Sequence, residues 1–267
     1  MYKAIALDLD GTLTDSEKKI PDDNKNAISK ALDAGFKVIL ASGRPSFGIW
    51  PLARELELDK KGGYILSYNG GNIIDCTNED LIYAKHIPED LFPEICELAQ
   101  RNKLALITYY KDKIITEMPD DEYVIKEAFC NGAKIMPVDD MVEFVDYPVA
   151  KCLIVGCHDR LVPVREKLLE KYGARIDAFF SEEYFLEVVP CHVRKDLSLD
   201  ALLSKLDIKS SELIAVGDGL NDIPMLKFAG LGVAVANAYA PVKDVADLIG
   251  LSNEDCAVAK IIEDYML

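Results

Sequence analysis

The sequence contains no Cys-x-x-Cys pair. Its seven cysteines, Cys76, Cys96, Cys130, Cys152, Cys157, Cys191 and Cys256, are odd in number and scattered. That argues against a zinc site or a disulfide framework and fits a reducing compartment. The three histidines, His86, His158 and His192, lie far apart and lack metal-ligand spacing. Cations are also in short supply: 30 Lys and Arg stand against 46 Asp and Glu, a formal charge of -16. Binding to a nucleic-acid backbone or an anionic bilayer depends on Lys and Arg, so neither partner is expected. No apolar run approaches the roughly 20 residues of a membrane-spanning helix. The N-terminal apolar segment is cut by Asp8 and Asp10, too early for a secretory signal. A cytoplasmic chain is the expectation. A small phosphorylated ligand stays open, because it needs only a local cationic pocket or a metal.

What is present suffices for a substantial core: 50% of the 267 residues are hydrophobic, enough for one large or two modest domains. The first third alternates strand and helix. Residues 3–8 form an apolar run ending at an aspartate. Residues 22–34 carry Ala27, Ile28, Ala31 and Leu32 at helical spacing, with Gly35 as a stop. Residues 36–41 read as a second buried strand. A helix is predicted over 46–58, disturbed by Pro51, followed by a strand at 64–67 and the turn signal Asn69-Gly70. The last third repeats the rhythm, with helices at 196–206 and 222–229 and strands at 212–217 and 232–236. Strands that are apolar throughout and alternate with helices predict a parallel sheet covered on both faces. The middle has strand patterns at 105–110, 112–116, 150–155 and 185–189, with helices near 89–101, 120–130 and 160–171. This predicts an α/β fold: a doubly wound, Rossmann-like parallel sheet core over 1–83 and 189–267, with an α+β domain inserted over 84–188.

In open parallel sheets, ligands bind beyond the carboxyl ends of the strands. Three predicted strands end in chemistry: Asp8-Leu-Asp-Gly-Thr12, Ser42-Gly-Arg44 and Asp218-Gly-Leu-Asn-Asp222. Asp8 is a carboxylate suited to attack phosphorus. The phosphate is itself anionic, so a cation must offset the repulsion. Magnesium prefers hard oxygen ligands together with substrate phosphate, and Asp8 and Asp218 are the natural pair to hold it. Asp10, two residues on, suits a general acid toward the leaving oxygen and then a base toward water, a role that calls for a raised pKa. Gly11 allows a sharp turn, and the Thr12 hydroxyl can tie it down. Asp-x-Asp-Gly-Thr fixes four positions, about one chance in 10⁵ per start position. Ser42 and the neighbouring amide of Gly43 suit non-bridging phosphate oxygens, and Lys195 adds a compact positive charge ahead of a helix. Asp222 suits an outer-shell role to the metal, and Asn221 a phosphate or positioning role.

Together these residues resemble the haloacid dehalogenase superfamily. Asp8-Leu-Asp-Gly-Thr-Leu13 looks like its nucleophile motif, Ser42 its second, Lys195 its third and Gly-Asp-Gly-Leu-Asn-Asp222 its fourth. The inserted segment resembles the large α/β cap of the Cof-type sugar-phosphatase branch (a type IIB cap). So do Asn69-Gly70, Ala236-Asn-Ala238 with Pro241-Val-Lys-Asp-Val-Ala246, and Ser252-Asn-Glu-Asp255. The resemblance implies that Asp8 is nucleophile and metal ligand, and that Asp10 is acid/base and a ligand through its main-chain carbonyl. It implies that Asp218 completes the ligands with Asp222 in support, and that Ser42 and Lys195 bind the phosphoryl group. Three positions depart from the branch pattern, where glycine is common: His192, Asp196 and Cys256.

The expectation is a Mg2+-dependent phosphatase acting on small phosphorylated metabolites, sugar phosphates foremost, as a monomer or homodimer. A phosphomutase of the same fold and a non-catalytic phosphometabolite-binding module are the alternatives. Lys111, Asp112, Lys113, His158, His192 and Arg194 are further polar candidates for substrate contact.

Overall fold

The computed structural model describes residues 1–267. In chain order the strands are β1 (Ala4–Leu7), β2 (Lys37–Ala41), β3 (Tyr64–Ser67), β4 (Asn72–Asp75), β5 (Leu81–Ala84), β6 (Ala105–Tyr110), β7 (Lys113–Thr116), β8 (Lys134–Pro137), β9 (Cys152–Val155), β10 (Ile176–Glu182), β11 (Phe185–Pro190), β12 (Leu213–Gly217), β13 (Leu231–Ala234) and β14 (Leu248–Ile249). They fall into two sheets, and the chain divides into two units: Met1–Tyr83 with Arg194–Leu267, and Ala84–Val193.

The first unit is built on the order β14-β13-β12-β1-β2-β3-β4-β5. Pairing is parallel from β14 to β3 and turns antiparallel at β4. β1 and β12 are apolar and buried at every residue, which requires helices on both faces. The helix Asp22–Asp33 buries Ala27, Ile28, Ala31 and Leu32 at three- and four-residue spacing and packs against the helix Ala257–Tyr265. The helix Ser46–Glu55 runs through Pro51. The chain breaks instead at Glu57, whose left-handed φ of 58° starts a separate turn, Leu58–Lys61. The disturbance expected at Pro51 is therefore displaced by six residues.

The second unit has the order β10-β11-β9-β6-β7-β8, antiparallel except for the parallel β7–β8 pair. Helices Phe92–Arg101 and His158–Tyr172 cover one face. Ile95, Leu161, Val164 and Leu168 pack there on Leu106, Cys152, Ile154, Leu186 and Val188. This unit extends past residue 188 because β11 pairs with β10 as far as Pro190. No helix in either unit is long and apolar enough to cross a membrane.

Candidate active site

β12, β1 and β2 lie side by side and parallel, so their carboxyl ends present Asp218, Asp8 and Ser42 in a row. The loop after β1 is pinned to the loop after β12: the Thr12 hydroxyl donates to Asp218 Oδ1 at 2.9 Å. Gly11, at φ +80°, lets the loop pass so close that a Cβ there would sit 2.7 Å from Asp218 Oδ2.

Lys195 opens the helix Lys195–Leu206, and its side chain is fully buried. Its Nζ donates to Asp8 Oδ1 at 2.6 Å, to Asp222 Oδ1 at 2.5 Å and to the Ala41 carbonyl at 2.8 Å. Burial works against its charge, but Asp222 and Asp8 outweigh that and hold it ionised, above its ordinary range. Asp222 Oδ2 accepts the N–H groups of Asp218 and Gly219 at 3.0 and 2.9 Å. Asp222 therefore braces the loop that carries Asp218.

The carboxylate oxygens of Asp8, Asp218 and Asp222 lie within 4.8 Å of one another. Burial, and then Asp222, push the Asp8 carboxyl well above its ordinary value. Burial, with Asp222 adding to it, lifts Asp218 to about 6. When all three carboxylates are ionised against one ammonium, the cluster carries two negative charges on hard oxygen donors, with Asp8 and Asp222 buried and Asp218 half-buried. A divalent oxygen-seeking cation such as magnesium fits that donor set.

Asp10 is placed differently. Arg44 grips both its oxygens, Nε to Oδ2 at 2.7 Å and Nη2 to Oδ1 at 2.6 Å, and Lys18 Nζ reaches Oδ1 at 2.8 Å. Burial favours the neutral acid, yet Arg44 and Lys18 outweigh it and hold the carboxyl below its ordinary range. The raised pKa that an acid role calls for is absent in this arrangement. Ser42 is buried, and its Oγ accepts the Arg44 N–H at 3.1 Å. Asn221 is exposed, and its Nδ2 donates to Asn69 Oδ1 at 3.0 Å. Arg194 is paired with Asp196, and His158 Nδ1 meets the Glu183 carbonyl at 2.9 Å. Lys111, Asp112, Lys113, His158 and His192 all belong to the second unit.

Sequence reasoning missed the residues that support the nucleophile loop. Asn237 Nδ2 donates to Gly11 O at 2.7 Å, and Asn253 Nδ2 donates to Thr14 O at 3.0 Å. Asn253 N–H in turn donates to Asn237 Oδ1. The buried Asn24 does the same for Leu13 O at 3.2 Å. Asn237 and Asn253 lie in the segments 236–238 and 252–255, which stood out in the sequence without a role. A cavity of about 410 Å³ lies elsewhere, in the second unit, between Phe92–Arg101 and His158–Tyr172. Several charges lining it are paired with each other, as in Lys171–Glu94 and Arg101–Glu97.

A family model described as haloacid dehalogenase-like hydrolase matches residues 5–262. A crystal structure of a haloacid dehalogenase-like hydrolase from Bacteroides thetaiotaomicron is 46% identical, covers 99% of both chains and superposes with a TM-score of 0.95. The chain is 26% identical to a 5-amino-6-(5-phospho-D-ribitylamino)uracil phosphatase, YitU, of Bacillus subtilis, over 98% of this chain and 96% of that one. It is 25% identical to an HMP-PP phosphatase of Serratia proteamaculans, over 100% of this chain and 96% of that one.

Proposed function

We propose, for a chain that belongs to the haloacid dehalogenase-like hydrolases and is a phosphatase, that it uses magnesium and a phospho-aspartyl intermediate on Asp8 to hydrolyse small phosphorylated metabolites, sugar phosphates foremost. The observation that carries this reading is the buried cluster in which Lys195 bridges Asp8 and Asp222 beside Asp218. The names of the two phosphatase relatives, both acting on phosphorylated small molecules, support the substrate class.

Asp8 attacks phosphorus, a P–O bond to Asp8 forms, and the bond to the leaving oxygen breaks. The Asp8 and Asp218 carboxylates and the Asp10 main-chain carbonyl would hold magnesium, which would supply positive charge that offsets repulsion between nucleophile and phosphate. Lys195 aligns Asp8 and meets the charge on the transferred group, and Ser42, Gly43 and Asn221 donate to its oxygens. Asp222 keeps Lys195 and the Asp218 loop in place. Asp10 protonates the leaving oxygen and then, as a carboxylate, takes the proton from the water that cleaves the phospho-aspartate. The hold of Arg44 and Lys18 presets the carboxylate needed for the second step, so the first requires Asp10 to be released and protonated. The inserted unit, in the role of cap domain, selects the substrate, since the core residues deal with phosphate.

The test is phosphate release from a panel of sugar phosphates, nucleotides, pyridoxal phosphate and an aryl phosphate, with magnesium and with chelator. Magnesium-dependent release that disappears in Asp8→Asn is expected. Full activity in Asp8→Asn, or full activity in chelator, overturns the assignment.

A further inference from the structure

Asn69 sits in the turn Tyr68–Gly70 after β3, where Tyr68, Asn69 and Gly70 all have positive φ, at 53°, 56° and 102°. L residues avoid that region, so two in succession are held there by their surroundings. Asn69 is only 6% exposed. It reaches two of the strand-end loops at once. Its N–H donates to the Ser42 carbonyl at 3.0 Å. Its amide lies on Gly43 so closely that a Cβ there would be 3.2 Å from both Nδ2 and Oδ1. Its Oδ1 accepts from Asn221 Nδ2 at 3.0 Å.

A side-chain amide can turn either its N–H groups or its carbonyl toward a ligand, and an anion takes only the N–H. An acceptor fixed beside Asn221 selects the orientation that puts the nitrogen on the side of Asn69 and Gly43. One N–H is used on Asn69, and the second is left to donate. On the reading that Gly43 and Asn221 bind phosphate, we infer that Asn69 is a positioning residue that sets the Gly43 backbone and the Asn221 amide as one donor surface for the phosphoryl group. Asn69 acts through these two groups and touches no substrate.

The probe is inorganic phosphate, measured as a competitive inhibitor of aryl phosphate hydrolysis. The proteins are the parent chain, Asn69→Gly, Asn221→Ala and the double variant. Glycine keeps the positive φ, and melting temperatures confirm that each variant is folded. A hydrogen bond to a charged group corresponds to roughly a tenfold or greater loss of affinity, so Asn221→Ala should raise Ki about that much. Asn69→Gly should raise Ki by roughly 3- to 30-fold, and the double variant should raise it by clearly less than the product of the two single effects, because part of the Asn69 effect runs through Asn221. A purely structural role predicts independent effects that multiply. Multiplying effects, or an unchanged Ki in Asn69→Gly, overturn the inference while leaving the phosphate reading intact. An unchanged Ki in Asn221→Ala overturns the phosphate role of Asn221, and the inference with it.

Discussion

Replacing Lys195 with methionine should cost stability in a way that depends on pH and on magnesium. Methionine roughly matches the lysine stem, so packing changes little. The loss is electrostatic. Lys195 Nζ makes three contacts of 2.5 to 2.8 Å, and its side chain and that of Asp222 are both at 0% exposure. Removing one partner of such a pair leaves uncompensated buried charge and costs about 3–5 kcal/mol. For a protein of this size that is a fall in Tm of roughly 6–20 °C. Asp8 can lessen the cost by taking up a proton. Its folded pKa, already raised by burial, rises further without the ammonium. A carboxyl whose folded pKa is raised adds stability at low pH and loses it as pH climbs through that pKa. The deficit of Lys195→Met should therefore grow as pH rises and be smaller at pH 5 than at pH 8, and saturating magnesium should restore part of it. Thermal unfolding of both proteins at the two pH values, with and without magnesium, measures this. A drop under about 2 °C at pH 8, or an equal drop at both pH values, would refute the buried-bridge account.

Two further outcomes follow from the same site and its surroundings. Asp218 has its pKa raised to about 6 from an ordinary 3.8, so its contribution to the metal-free protein is present below the lower value and lost as pH rises through the higher. Magnesium needs the carboxylate, so the Tm gain on adding it should grow between pH 5 and pH 7.5; a gain as large at pH 5 would contradict the ligand assignment. His192 is exposed and sits at φ 61°. His192→Gly should stabilise the protein by about 0.5–1 kcal/mol, read as a small rise in Tm, whereas a fall would show that the ring makes a contact worth more than the backbone strain.

The strand ends were legible because each is a short apolar run that stops at a polar motif, a pattern local to a few residues. The burial of Lys195 was not. A lysine in a sequence reads as a surface residue, and its partner Asp8 is 187 positions away. The charge state of Asp10 was equally hidden, since Arg44 arrives from 34 residues along the chain by way of β2. Strands β4, β5, β8 and β14, at or next to a sheet edge, are only two to four residues long, too short to show a period. The helix Ala257–Tyr265 carries Val258, Ile261 and Ile262 on one face, so its signal was present in the sequence but not taken up.

The departures from the family's glycine pattern can now be ranked by what the backbone demands. His192 and Cys256 stand at φ 61° and 57°, the left-handed region where glycine carries no penalty. Each is therefore a point of backbone strain. Asp196 lies in the first turn of a helix, where φ makes no such demand, and it pairs with Arg194. Gly11, by contrast, combines φ +80° with a neighbour 2.7 Å from the place of any Cβ, and that neighbour is Asp218. A side chain at 192 or 256 costs the backbone alone. A side chain at 11 would push Asp218 off the cluster it shares with Asp8 and Asp222. Strain of this kind is tolerable where it displaces nothing, and glycine is retained where the same backbone shape also brings two loops into contact around the reacting carboxylates.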